Sequence, residues 1–360
     1  MHTDVYERLR EQLDQYSIGF PKTESGVEIK LLKKMYDPEE AEMFLQLSLL
    51  PETPESVAGR VGGDAAQAAE LLERMAEKGL VFRHRRGDTS KYGAVPFVAG
   101  SYEFQLGRMD LELAELFEAY FQEGFHKSTS EAFMRPIPVN RSIQVRHAVA
   151  TYEDVREIVK GQKLIALAKC ICRVQQGLLD QACDKPVEAC MVFGAHGQYY
   201  LDQGMARQID ADEALRVLEE CEKAGLVCQP YNSQNPGGMC NCCGDCCGIL
   251  RSLNLQPKPA EMVVTNYVAR VDGEACVGCE VCLERCQMGA LRINDDGVAE
   301  LNPDRCIGCG LCVTTCATEA ISLEFKDEPI RQTPPEKGVD QMVQLAERRG
   351  RTLTPLYMKN

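Results

Sequence analysis

A chain of 360 residues with 44% hydrophobic side chains can bury a sizeable core and has room for two or three domains. Its 19 cysteines leave a choice between a disulfide framework in an oxidising compartment and thiolates on metal in a reducing one. The net charge of −14 disfavours nucleic acid, whose binding draws on phosphate neutralisation, and no apolar run approaches the length of a membrane span.

Residues 1–36 open with a charged amphipathic stretch, Met1 to Phe20, that lacks the apolar centre of a signal peptide. This favours metal ligation over disulfides, and with it a soluble, cytoplasmic protein from an anaerobic setting. A Pro-Lys-Thr-Glu-Ser-Gly turn and a short Val27 to Leu32 segment follow. In residues 37–100, Asp37-Pro38-Glu39-Glu40 supplies an N-cap, a proline at N1 and an acid at N3. A second helix starts at Thr53-Pro54, and a third runs from Asp64 to Lys78 with Ala68, Leu71, Leu72 and Met75 on one face and Gly79 as its stop. Val81 to His84 and Lys91 to Phe97 are predicted as two strands around an Arg85-Arg86-Gly87-Asp88 turn.

Three short helices and a hairpin resemble a winged-helix domain. The resemblance brings DNA into question as a partner, yet the third helix presents Asp64, Gln67, Glu70, Glu73 and Glu77 against only Arg74 and Lys78. Carboxylates are costly in a groove lined with phosphates, so DNA is disfavoured and protein docking or dimerisation is the better expectation. Residues 101–150 hold another helical pattern, with Leu111, Leu113, Leu116, Phe117, Tyr120 and Phe121, whose spacing fits a core or homodimer contact. Arg135-Pro-Ile-Pro-Val139 is an extended connector that marks a domain boundary.

Residues 151–258 carry eleven cysteines. Asp210 to Glu213 caps a helix whose apolar face runs through Leu215, Leu218 and Cys221, so Cys221 is a core residue, and Cys228 in a short strand is read the same way. Cys170-Ile-Cys172-Arg173, Cys183 and Cys190 form one candidate ligand group; if the first two are extended, both thiols face one side. Cys240-Asn-Cys242-Cys243-Gly-Asp-Cys246-Cys247 forms the second, on a loop made tight by Asn235-Pro236-Gly237-Gly238. Cys170, Cys172, Cys183, Cys190, Cys240, Cys243 and Cys246 rank ahead of Cys242 and Cys247, because neighbours in a Cys-Cys pair point apart. One or two further iron–sulfur clusters are favoured here, with zinc and bystander thiols as the alternatives. Arg173 balances cluster charge or makes an ordinary salt bridge. His196, in a glycine-containing loop, is read as structural ahead of ligand or proton donor, and no dinucleotide fingerprint, phosphate loop or nucleophile elbow occurs.

Residues 259–328 are the most specific stretch. Cys276-x2-Cys279-x2-Cys282-x3-Cys286 recurs 30 residues later as Cys306-x2-Cys309-x2-Cys312-x3-Cys316. Two-residue gaps wrap an irregular loop around a cube, aiming thiolates at irons while N–H groups face the sulfides. Strands are predicted at Ala290 to Ile293 and Ala320 to Phe325, with Val268 to Val271 and Val298 to Leu301 as partners. This segment resembles bacterial-type ferredoxins with two 4Fe-4S clusters. The resemblance implies that Cys276, Cys279, Cys282 and Cys316 hold one cube and Cys306, Cys309, Cys312 and Cys286 the other. The proline that commonly follows the fourth cysteine of that family is replaced by Gln287 and Ala317, which bears on potential more than on binding. Residues 261–328 hold 13 acidic and 5 basic side chains, so more than half the negative excess lies here, as suits a basic redox partner or plain solubility.

With residues 329–360 as a tail, the expected architecture is α+β and multidomain: a winged-helix-like front, a Cys-rich α+β middle and a ferredoxin-like 2×(4Fe-4S) domain. The expected function is single-electron transfer to a protein partner. A redox-sensing transcription regulator and an oxidoreductase subunit with a catalytic cluster remain the alternatives.

Overall fold

The computed structural model describes residues 4–128, 133–138 and 151–358. The N-terminal part is helical, with α1 (Val5–Leu13), α2 (Val27–Met35), α3 (Pro38–Phe44), α4 (Pro54–Val61) and α5 (Ala65–Glu77). The segment from Val27 is a helix because Val27, Leu31, Leu32 and Met35 form one buried stripe. α3 opens with the expected box, in which the Glu40 amide donates to Asp37 and the Asp37 amide to Glu40. The hairpin of β1 (Phe82–Arg86) and β2 (Thr89–Gly93) follows. β2 stops at Gly93, short of Phe97, because the chain turns inward into a π-type turn where Ala99 takes φ 54°. Glu73 on α5 ties the hairpin down through Arg83, Arg85 and the Tyr92 hydroxyl.

After α6 (Leu111–Tyr120) and the single turn α7 (His126–Ser128), a connector runs along the sheet edge. The amides of Arg135 and Ile137 donate to the carbonyls of Pro230 and Cys228; Val139 and the rest of the predicted boundary lie outside the described residues. The middle region comprises α8 (Val155–Lys160), β3 (Ile165–Lys169), α9 (Ile171–Leu178), β4 (Glu188–Phe193), α10 (Gly194–Asp202), β5 (Ala206–Ile209), α11 (Ala211–Lys223), β6 (Val227–Pro230), β7 (Gly238–Cys242) and α12 (Gly248–Asn254). Its strands form one antiparallel sheet in the order β5-β3-β4-β7-β6.

Successive strand residues face opposite sides, and the two faces bury different things. Ile165, Leu167, Met191, Phe193 and Met239 pack with Val155, Val159 and Leu218 of α8 and α11. Ala168 and Val192 belong instead to the large core that holds the N-terminal helices together with Tyr199 and Tyr200 of α10. The N-terminal helices and the sheet therefore share a core.

The last region holds β8 (Tyr267–Val271), α13 (Val281–Arg285), β9 (Leu291–Ile293), β10 (Ala299–Leu301), α14 (Leu311–Thr314) and β11 (Ile321–Phe325), with β8 paired to β11 and β9 to β10. α15 (Gly338–Arg348) then returns to the front of the molecule. Leu345 enters the N-terminal core, and Arg349 and Arg351 each reach Asp14 at 2.8 Å. Among the described residues no helix is long and apolar enough to cross a membrane.

Candidate metal centres

Two cavities in the last region have four cysteines each and nearly equal size. Cys276, Cys279, Cys282 and Cys316 line one of about 350 Å³; Cys286, Cys306, Cys309 and Cys312 line one of about 390 Å³. The fourth thiol of each run thus joins the first three of the other. The loops reach this shape through left-handed residues at equivalent places, Gly278 and Glu280 in one run, Gly308 and Gly310 in its repeat. A Cβ on Gly308 would stand 2.3 Å from the Tyr267 carbonyl oxygen, so only glycine fits there. Backbone amides face the thiols: Ala299 N–H donates to Cys276 Sγ at 3.3 Å and Ala290 N–H to Cys286 Sγ at 3.2 Å. These cradles fit cubes, whose ligands are thiolates stabilised by such amides.

The two cradles differ in burial. Cys279 is exposed, and although burial alone would raise Cys316, the Thr318 hydroxyl and the amides of Ile321, Ala320 and Thr318 hold it below the ordinary thiol value. In the second cradle burial pushes Cys309 up to about 12 and Cys312 well above its usual value. A neutral thiol is favoured there until a metal takes the proton's place.

In the middle region six thiols close a ring. Side chains meet in the order Cys170, Cys172, Cys247, Cys242, Cys240, Cys190 and back to Cys170. The pair is not extended throughout: Cys170, the N-cap of α9, keeps extended dihedrals, but Cys172 lies in the first helical turn, which still leaves their thiols adjacent. Cys240 and Cys242 lie in β7 and not in a loop, and its register pairs Met239 with Met191, which sets Cys190 against Cys240. Cys247 caps α12. Neighbouring thiols polarise one another: contacts from Cys170 and Cys240 hold Cys190 below the ordinary thiol value, and Cys240 and Cys247 do the same for Cys242.

Each Cys-Cys pair does diverge, and each divides between two places. Cys242 and Cys247 enter the ring, whereas Cys243 and Cys246 join Cys183, whose Sγ is 3.7 Å from that of Cys243. Cys221 packs beside them with Leu226 and Ala189, and Cys228 sits on the opposite sheet face, both in apolar surroundings that push their thiols up.

Two buried polar side chains make sense only beside these thiols. Arg173 donates to the Asn241 carbonyl at 2.8 Å, but its Nε and Nη1 meet no oxygen or nitrogen. Burial would lower its pKa, yet Cys170, Cys243, Cys242 and Cys190 hold it above the ordinary arginine value. Gln229, equally buried, has no oxygen or nitrogen partner for its amide and reaches Cys242. Donors stranded in this way fit an anionic sulfur centre. Of the two, sequence reasoning singled out only Arg173.

The ring forms one wall of a cavity of about 1060 Å³, its open mouth included, whose other walls are aromatic, among them Phe97, Phe117, Phe125, Tyr200 and Tyr231. Tyr102 stands 3.7 Å from Cys172 and donates to Gln175 at 2.6 Å. Glu103 accepts the Gly100 amide, and burial raises its carboxyl to about 7. Arg251, over the Phe121 ring and paired with Glu118 at 2.5 Å, also lines it. The sequence signals for these residues were only helical periodicity and isolated charges. His196 stacks on Phe82 at the start of α10, in a helix and not a loop.

The ring and the second cradle share packing. Cys242 and Cys247 belong to one apolar cluster with Val227, Leu250, Met288, Ile307 and Leu311, and Cys240, Cys286 and Cys309 pack against it. Gln287 explains the missing proline: its side chain accepts the Gly244 amide at 2.7 Å and its carbonyl accepts from Asn254 at 2.9 Å, fastening the cradle to the Cys243–Cys247 turn. Arg305 bonds the Met288 and Gln256 carbonyls and Asn254, and Arg285 bonds the last carbonyls of α11, where a cation also suits the helix dipole.

Residues 269–323 match the family model described as a 4Fe-4S dicluster domain. No curated protein and no solved structure matches the chain. A domain of this kind points to iron–sulfur electron transfer, and the chain joins it to a second cysteine-rich region.

Proposed function

We propose that the protein is an electron carrier with three iron–sulfur sites: the two cradles of the dicluster domain and the six-thiol ring. Cubes bound there supply one-electron chemistry. Cys276, Cys279, Cys282 and Cys316 would hold the first, Cys286, Cys306, Cys309 and Cys312 the second. Four of Cys170, Cys172, Cys190, Cys240, Cys242 and Cys247 suffice for a third.

The observation that carries this reading is the apolar cluster that packs Cys286 and Cys309 on one side and Cys240, Cys242 and Cys247 on the other. Its side chains exclude water between the sites, while Arg173 and Gln229 direct buried donors at the ring. The opposite end is built for contact. Cys279 is exposed beside the exposed Val277; Asp272, Glu274 and Glu280 are exposed in the same loop, and Asp295 and Asp296 in the β9–β10 turn, whose Gly297 lies against Gly278. An acidic rim around an apolar point suits a basic redox protein. The helix-and-hairpin front is winged-helix-like in this reading and serves as scaffold: Arg83 is buried against Glu73 and Asp202, and Arg85 also faces Glu73, so these hairpin cations are already paired. Anaerobic reductive titration should consume about three electrons per chain, one for each cube; uptake of about two would remove the ring from the account.

A second reading has its own support. The aromatic cavity beside the ring, with Glu103 and Arg251 on its walls, suits a small substrate, as in an oxidoreductase subunit. A compound that enters it would alter the spectrum of the ring site and leave the dicluster signals unchanged.

A further inference from the structure

Cys183, Cys243 and Cys246 stand outside the thiol ring, with Asp245 between the last two in sequence. Their ligand atoms all lie within 4.8 Å of one another. We propose that these four residues bind a single zinc ion that is separate from every iron–sulfur site.

Spacing distinguishes the two kinds of centre. Two thiolates on one tetrahedral zinc, each at about 2.3 Å from the metal, stand about 3.8 Å apart. Cys183 and Cys243 are 3.7 Å apart, at the edge length of such a tetrahedron. Thiolates of a cube sit on different irons and are spread farther by the iron–iron separation. Three thiolates and one carboxylate complete a closed four-coordinate shell of the structural type, and both donor types are ordinary zinc ligands.

The surroundings fit as well. Ala189, Cys221, Leu226, Val217 and Ala224 form a dry apolar wall behind the thiols. Lys185 lies 3.5 Å from Asp245, and Arg173 brings a buried positive charge from the ring side, so the net negative charge of the complex is answered by two cations. The mechanical consequence concerns the ring. Cys243 and Cys246 are next in sequence to Cys242 and Cys247, so an ion holding the first pair fixes the turn that aims the second pair. It also pins the segment carrying Cys183, 60 residues away in the chain.

The test is metal analysis and zinc-edge X-ray absorption on the full chain purified anaerobically, with C183S and D245N as variants. About one zinc per chain is expected, with three sulfur neighbours near 2.3 Å and one oxygen near 2.0 Å. D245N alters a half-exposed side chain and keeps the fold; it should release zinc to a chelator at least tenfold faster, and C183S should lose zinc while retaining the iron and sulfide of the dicluster domain. Absence of zinc from the wild type, or a disulfide between Cys183 and Cys243 in its place, would overturn the proposal. So would a drop of about four irons in C183S, which would assign the thiol to a cube. Iron and zinc are counted separately, so the electron-carrier reading can fail while this site stands, and the reverse.

Discussion

Arg173 and Glu103 show how single side chains declare the middle region's chemistry. Arg173 is buried with two unpartnered donor nitrogens, and four thiols supply the negative charge around it. A cation stabilises the more reduced form of a neighbouring centre, because reduction adds negative charge. Arg173→Met, which keeps the bulk and removes the charge, should therefore lower the midpoint potential of the ring site by roughly 60 mV, the one-electron equivalent of a tenfold shift. Redox titration followed by EPR checks this, and an unchanged potential would mean that the guanidinium only fills space. Glu103 makes a prediction about pH. Burial raises its carboxyl from 4.5 to about 7, so the folded state binds the proton more tightly than the unfolded chain does. Stability on this account falls as pH rises across that window and stays low above it. Glu103→Gln should be more stable than wild type by about 2 kcal/mol at pH 8, with the difference fading toward pH 4.5, as read from thermal melting across pH.

At the scale of elements, the dicluster loops were legible and the ring was not. Eight cysteines at repeated local spacing fix which loops wrap which cavity, because each loop's shape is set within a dozen residues by its glycines. Gly308→Ala tests that local logic: the left-handed conformation alone costs about 1–2 kcal/mol, and the Cβ would also strike the Tyr267 carbonyl. Gly289→Ala, with φ 57° and open space around it, carries the conformational cost alone and should melt at a higher temperature than Gly308→Ala. Equal melting would show that the β8 contact exerts no constraint. The ring draws Cys170 from a helix cap, Cys190 and Cys240 from paired strands and Cys247 from another cap. Such neighbours depend on sheet order and register, which spacing along the chain does not encode. The same holds for the division of Cys242 from Cys243 and Cys246 from Cys247. Divergence within each pair follows from backbone geometry, but the destination of each thiol is decided by β7 and α12. Asp245, between two cysteines, was the one extra ligand the sequence could have offered. Gln287 was visible as a departure from the ferredoxin pattern; its role as a fastener depends on Gly244, 43 residues earlier.

At the scale of the whole molecule, packing joins what the sequence divides. The front helices and the middle sheet share one core, α15 and the segment after it close back onto Asp14, and the dicluster domain is fastened to the middle by Gln287, Arg285 and Arg305. Cys276, Cys282 and Cys316 of the first cradle, the second cradle and the ring are linked through two adjoining apolar clusters that share Cys286. Whether the ring holds an iron–sulfur centre decides the proposed function. It is decided by the iron and sulfide content of anaerobically purified wild-type protein beside a Cys170→Ser, Cys190→Ser, Cys242→Ser triple variant, whose three remaining ring thiols are too few for a cube. About twelve irons and twelve sulfides per chain are expected in the wild type and about eight of each in the variant. About eight in both would contradict an iron–sulfur centre in the ring.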